Sequence, residues 1–162
     1  MISGTKEGYF NILYIFSVAL SIGILDRITK IASYIRLSPG QSIKVLPNIF
    51  HITLVLNKGS AFGLFKEGRL FFIASSVLAI IFILLYIWKH RIMGPLLSLG
   101  LGLILGGAAG NLIDRLRFGY VIDFLDFRVW PVFNVADSAI TVGVAILILK
   151  IFLKGRHASH PL

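Results

Sequence analysis

The stretch GNLIDRLRFGYVIDFLDFRVWPVFNVAD, residues 110–137, carries four of the seven acidic side chains of a 162-residue chain: Asp114, Asp123, Asp126 and Asp137. Both of its ends run into apolar blocks, so the chain here leaves one hydrocarbon segment and enters the next. At 57% hydrophobic residues, 14% charged residues and a mean hydropathy of +0.89, the whole chain is too apolar for a soluble domain of this length. It reads as an integral membrane protein. The absence of cysteine excludes a disulfide scaffold, a thiolate nucleophile and a Cys-ligated metal. The net charge of +9 is scattered between apolar segments, which fits anionic lipid headgroups rather than nucleic acid.

Working outward, the apolar blocks predict four membrane-spanning helices over about residues 9–31, 70–88, 93–113 and 133–153, in a single domain of residues 1–162. The first apolar run passes straight through a small-residue site at Ala19-Leu20-Ser21, so a span is expected there and not a cleaved leader. Trp88-Lys89-His90-Arg91 closes the second span with an aromatic and basic membrane edge. Pro95 suits the first turn of the third, where Gly102, Gly106 and Gly110 form a stripe for close helix packing. Between the first two spans, residues 36–66 lose helical patterning. Turn signals at Ser38-Pro39-Gly40 and Pro47-Asn48 flank an alternating, β-branched run from Ile49 to Asn57. A β element this small leans on the helices or the bilayer surface. The fold class is thus membrane all-α with a small extramembrane β-cradle.

Four spans place both termini and the tight 89–91 turn on one side and all five aspartates toward the other. Lys and Arg number six on the terminal side and ten opposite, yet long folded connections weigh little in the positive-inside rule. The short basic turn favours cytoplasmic termini.

Polar side chains recur at helical spacing on three helix ends: Asp26 and Lys30; Asn111, Asp114 and Arg115; Asn134 and Asp137. The connection after the third span adds Asp123 and Asp126. Each has a structural reading: Asp26 as a local ion pair with Lys30, Asp114 paired with Arg117, Asp126 paired with Arg128, and Asn134 with Asp137 as an N-cap and its acidic third residue. Their convergence on one membrane edge points instead to a site, because a carboxylate near hydrocarbon persists only when paired, hydrogen-bonded or protonated. No His-Glu-x-x-His or Gly-x-Ser-x-Gly is present, and the tail residues His157 and His160 lack a third ligand nearby, so no metal or cofactor is expected. Two aspartates sharing a proton remain available, one activating water and the other protonating the scissile amide. A small ion- or proton-coupled transporter is the alternative use of such a cluster.

The chain resembles bacterial signal peptidase II, the lipoprotein signal peptidase family, in five places: Leu25-Asp26-Arg27-Ile28-Thr29-Lys30, Asn57-Lys58-Gly59-Ser60-Ala61-Phe62-Gly63, Gly110-Asn111-Leu112-Ile113-Asp114-Arg115, Val121-Ile122-Asp123-Phe124 and Phe133-Asn134-Val135-Ala136-Asp137-Ser138. The resemblance implies a four-helix inner-membrane aspartic endopeptidase with a periplasmic β-cradle. Such an enzyme cleaves diacylglyceryl-modified prolipoproteins before the lipidated cysteine, without a metal. By position it implies a catalytic pair at Asp123 and Asp137, with Asp26, Lys30, Asn57, Gly59, Asn111, Asp114, Arg115 and Asn134 as support and substrate contacts. The implied partners are lipid-modified prolipoproteins and membrane lipids, the enzyme acting as a monomer. Its termini would be cytoplasmic and its active site would face the periplasmic side. Arg27 and Ser60 depart from the Gln and Ala common in the family.

Overall fold

The computed structural model describes residues 3–59 and 68–158. Four helices, α1 (Ser3–Arg36), α2 (Gly68–Lys89), α3 (Pro95–Phe118) and α4 (Val135–Ala158), combine with strands β1 (Ser42–Leu46), β2 (Phe50–Asn57) and β3 (Val121–Asp126). All four helices are long and apolar enough to cross a membrane.

Helix α3 is the central one, packed against the other three. Its glycines explain how. A Cβ on Gly102 would stand 2.8 Å from the carbonyl oxygen of Ile15, and one on Gly106 would stand 2.5 Å from that of Ala19, so the expected stripe lies flush against α1. A second set joins α3 to α4: a Cβ on Gly143 of α4 would meet the Gly100 carbonyl oxygen at 2.8 Å, and one on Gly107 of α3 would collide with that of Ala136. The core of the bundle joins Ile15, Ile83, Ile87, Leu101, Ile104 and Leu105 from three helices.

The helices run past the membrane edges expected from hydropathy. Helix α1 continues to Arg36, and Leu37 behind it packs on Leu54 and Ile122 of the sheet. Helix α3 continues from Ile113 to Phe118, where Gly119 at φ 81° turns the chain and donates its N–H to the Arg115 carbonyl. Hydropathy marks hydrocarbon contact, whereas these last turns are held by polar partners and by the sheet.

The sheet has three antiparallel strands in the order β1-β2-β3. The stretch 121–126, expected as plain connection, is its third strand and pairs Asn57 with Val121 and Val55 with Asp123. Its sequence VIDFLD is buried on both faces, which removes the alternation by which a strand is read. At the opposite end of the bundle, Gly8 approaches Arg91, and Gly94 approaches the Lys150 ammonium, so the α2–α3 turn gathers with the first turns of α1 and the C-terminal half of α4.

Candidate active site

Strand β3 brings the stretch 110–137 back on itself. Leu125 and Phe133 exchange backbone hydrogen bonds at 2.8 and 3.1 Å. Phe133 is thereby fixed to the strand, and the next residue, Asn134, opens α4. Its side-chain oxygen accepts the N–H of Asp137 at 2.9 Å, while Asp137 Oδ2 accepts the N–H of Asn134 at 3.3 Å. This is the reciprocal N-terminal box expected from the sequence, and it satisfies donors that a helix start leaves free. A further first-turn donor, Ala136 N–H, is met by Asp26 Oδ1 of α1 at 2.9 Å.

The same two residues reach further. Asn134 Nδ2 donates to Asp123 Oδ1 at 2.6 Å and to Asn111 Oδ1 at 3.2 Å. Asn111 Nδ2 donates to Asp137 Oδ1 at 2.7 Å, and Asn57 Nδ2 donates to Asp123 Oδ2 at 2.9 Å. Asn57 lies two residues beyond Val55, the register partner of Asp123, and therefore on the same face of the sheet. The orientation of each amide is set by an unambiguous donor. Asn134 Oδ1 takes a backbone N–H, Asn57 Oδ1 takes the N–H of Gly59 at 2.8 Å, and Asn111 Oδ1 takes Lys30 Nζ at 3.1 Å. Gly59 stands at φ 80°, a conformation that a side chain would strain.

Lys30 is fully buried and pairs with Asp26 at 2.8 Å and Asp114 at 2.9 Å. Asp114 also receives Arg27 at 3.1 Å, and its partner is therefore not Arg117, which lies over the Phe118 ring. In the sequence Arg27 stands out only as a departure from the family pattern; the signal for its pairing is its position, one residue beyond Asp26 at the end of a span. Asp126 pairs with Arg128 at 2.8 Å and accepts the Thr53 hydroxyl at 2.7 Å. Those bonds and the Arg128 charge hold its carboxyl below the ordinary carboxylate range, against its burial. Arg115 stacks over Phe72 of α2 at 4.9 Å and lies in the field of Asp137, Asp123 and Asp114.

A difference now separates the acids. Among the described residues, Asp26, Asp114 and Asp126 each form an ion pair, whereas Asp123 and Asp137 form none within 4 Å and accept hydrogen bonds from neutral amides. Burial, chiefly, and the charge of Asp137 raise the Asp123 carboxyl to about 6, opposed by the donors Asn57 and Asn134 and by Lys30. The arrangement supplies two nearby carboxylates that are firmly oriented and, among the described residues, have no cation within 4 Å. No group of His, Cys, Asp and Glu suited to holding a metal occurs among the described residues. Asn57 and Gly59 open a loop whose remaining motif residues, Ser60 to Gly63, lie outside the described residues.

The family model for signal peptidase (SPase) II, Peptidase_A8, matches residues 18–153. A lipoprotein signal peptidase of Halothermothrix orenii is 46% identical over 138 residues, covering 85% of this chain and 94% of that protein. One from Moorella thermoacetica is 48% identical over 148 residues, covering 89% and 97%. A solved bacterial membrane enzyme at 2.3 Å resolution superposes with a TM-score of 0.81 at 29% identity, covering 91% of this chain and 92% of its own. A second, at 1.9 Å, gives a TM-score of 0.79 at 30% identity, covering 85% and 91%. With its four apolar helices, its small antiparallel sheet and these relatives, the chain is a multi-pass bacterial membrane protein that belongs to the signal peptidase II family.

Proposed function

We propose that this protein is an aspartic endopeptidase that removes signal peptides from diacylglyceryl-modified prolipoproteins, cleaving before the lipidated cysteine, with Asp123 and Asp137 as the catalytic pair. The observation that carries the assignment is the pairing pattern: these are the two aspartates at the sheet end that no cation neutralises among the described residues, and both are aimed by asparagine amides.

Hydrolysis needs one carboxylate to take a proton from water and one carboxylic acid to give a proton to the amide. Repulsion between the two groups favours a state in which the pair holds a single proton, and burial makes Asp123 a ready holder of it. Asp137 stands in the first turn of α4, where the helix N-terminus favours negative charge. It is placed to draw the proton from a water lying between the two, while Asp123 supplies its proton to the oxygen or nitrogen of the scissile amide. The roles reverse as the amine leaves, so each aspartate serves in turn as acid and as base. Lys30 stabilises negative charge at Asp137 through Asn111, which it touches at 3.1 Å. Asp26, Asp114, Asn57, Gly59 and Asn134 hold the pair in position, and Arg115 with Phe72 borders it toward α2.

The substrate approaches within the bilayer, its diacylglyceryl group remaining in hydrocarbon while its peptide meets the sheet. The termini lie in the cytoplasm and the sheet at the outer face, and the monomer suffices because both aspartates come from one chain. The transporter reading has no observation in its favour: the five aspartates gather at the sheet end, and α2 carries no acidic residue.

The test is cleavage of a purified lipidated prolipoprotein in proteoliposomes, with the new N-terminus read by mass spectrometry. A product beginning at the lipidated cysteine is expected, together with no cleavage of the same precursor left unlipidated. Equal cleavage of both precursors, or cleavage elsewhere, would overturn the substrate assignment.

A further inference from the structure

A cleft of about 640 Å³ opens over α3 between α1 and α2, lined by Phe16, Leu20, Ile24, Leu84, Leu105 and Ile113 among others. None of Asn57, Asp123, Asn134 and Asp137 lines it. Acyl chains wet any such face of a membrane protein, so the apolar walls alone select nothing. Its polar end does. Asp26, Arg27 and Asp114 close the cleft there, and with Lys30 these four charges sum to zero.

Arg27 spends one N–H on Asp114, keeps its side chain 33% exposed, and lays its guanidinium over the Phe118 ring at 5.2 Å. Arg117 lies over the same ring at 5.5 Å, is exposed, and has no carboxylate within 4 Å among the described residues. Arg27 lines the polar end of the apolar groove, and Arg117, just outside the lining, shares its aromatic ring, so two guanidinium groups with unspent donors stand side by side there. The surplus charge is positive, and guanidinium donors match phosphate oxygens. A zwitterionic headgroup would bring its own cation beside them, whereas an anionic one would not.

We propose that this cleft seats one anionic phospholipid, with its phosphate between Arg27 and Arg117 and one acyl chain along Leu20, Ile24 and Leu105. The seat is separate from the aspartate pair and does not depend on the reaction assigned to it.

The test is native mass spectrometry of the delipidated full-length protein, titrated with phosphatidylglycerol or phosphatidylcholine carrying identical acyl chains. The first lipid retained should favour phosphatidylglycerol by about tenfold or more, and Arg117→Gln should reduce that preference about fivefold, as expected for one arginine beside an anionic headgroup. Arg117 is exposed, so this variant keeps its fold; Arg27→Gln should weaken the preference in the same direction. Gly23 lines the cleft, and a Cβ there meets nothing within 4 Å, so Gly23→Leu should fill the groove and lose the retained phosphatidylglycerol. Equal retention of the two lipids by the parent protein, or a preference unchanged in Arg117→Gln, would overturn the proposal. So would a preference that survives Gly23→Leu, or displacement of the lipid by millimolar inorganic phosphate, because either would show a headgroup contact without an acyl seat.

Discussion

Asp114 and Asp126 face cations, and Asp123 and Asp137 face amides; that contrast supports the proposed catalytic pair at the residue scale. A buried carboxylate opposite Lys30 is neutralised and unavailable, while one held by Asn57 and Asn134 keeps its orientation and can still exchange a proton. With Asp123 raised to about 6, its proposed role as proton donor predicts that kcat/KM falls as pH rises above that value, because the donor form is lost. Asn57 favours the charged form of Asp123, so Asn57→Leu should move this alkaline limb to higher pH while lowering the maximal rate. A pH–rate profile checks the sign, and a limb displaced toward acid would contradict the assignment. The sequence shows the cluster of polar positions but does not rank its members. Spacing places Asp114 near Arg117, yet the pairing that decides its role comes from Lys30 and Arg27 on another helix. The choice of Asp123 and Asp137 comes from the family resemblance, and the geometry adds a physical reason for it.

Among the elements, α3 carries the greatest constraint, since it packs on both sides through glycine. Gly106→Ala would set a methyl group 2.5 Å from the Ala19 carbonyl oxygen on α1, a backbone atom that cannot swing aside. Overpacking of this kind costs about 1–3 kcal/mol, so the variant should unfold at a clearly lower temperature. Gly23→Ala meets nothing within 4 Å and should leave the unfolding midpoint unchanged or slightly raised, which thermal unfolding in detergent measures directly. At the head of α4, Asn134→Ala removes the N-cap along with the link to Asp123. It should lose about 1 kcal/mol from the cap alone and nearly all activity, read by the same unfolding assay and by cleavage rate. The spans were legible because about 20 apolar residues in a row have one cheap fate in a bilayer. Strand β3 was not, since its pattern is set by burial on both faces and its partner β2 lies more than 60 residues away in sequence. The helix ends at Arg36 and Phe118 were hidden for a related reason: packing on the sheet and polar contacts to it carry them beyond the hydrocarbon.

Viewed as a whole molecule, the bundle keeps its five aspartates at the sheet end and the α2–α3 turn at the other, which turns orientation into a measurable property. The chain has no cysteine, so single cysteines report without background. With the sheet at the outer face, Lys44→Cys on the exposed strand β1 should react with a membrane-impermeant maleimide in intact spheroplasts, and His90→Cys should react only after permeabilisation. The reverse pattern would invert the proposed orientation. The proposed cleavage depends on Asp123 and Asp137 acting together. The most direct measurement is the initial rate of lipidated prolipoprotein cleavage by purified Asp123→Asn and Asp137→Asn, with Asp126→Asn beside them and thermal unfolding recorded for each. Loss of activity by about a thousandfold or more is expected in the first two, on the scale of removing an essential proton-transfer group, with folded protein retained and Asp126→Asn still active. Substantial cleavage by a folded Asp123→Asn or Asp137→Asn would contradict the dyad.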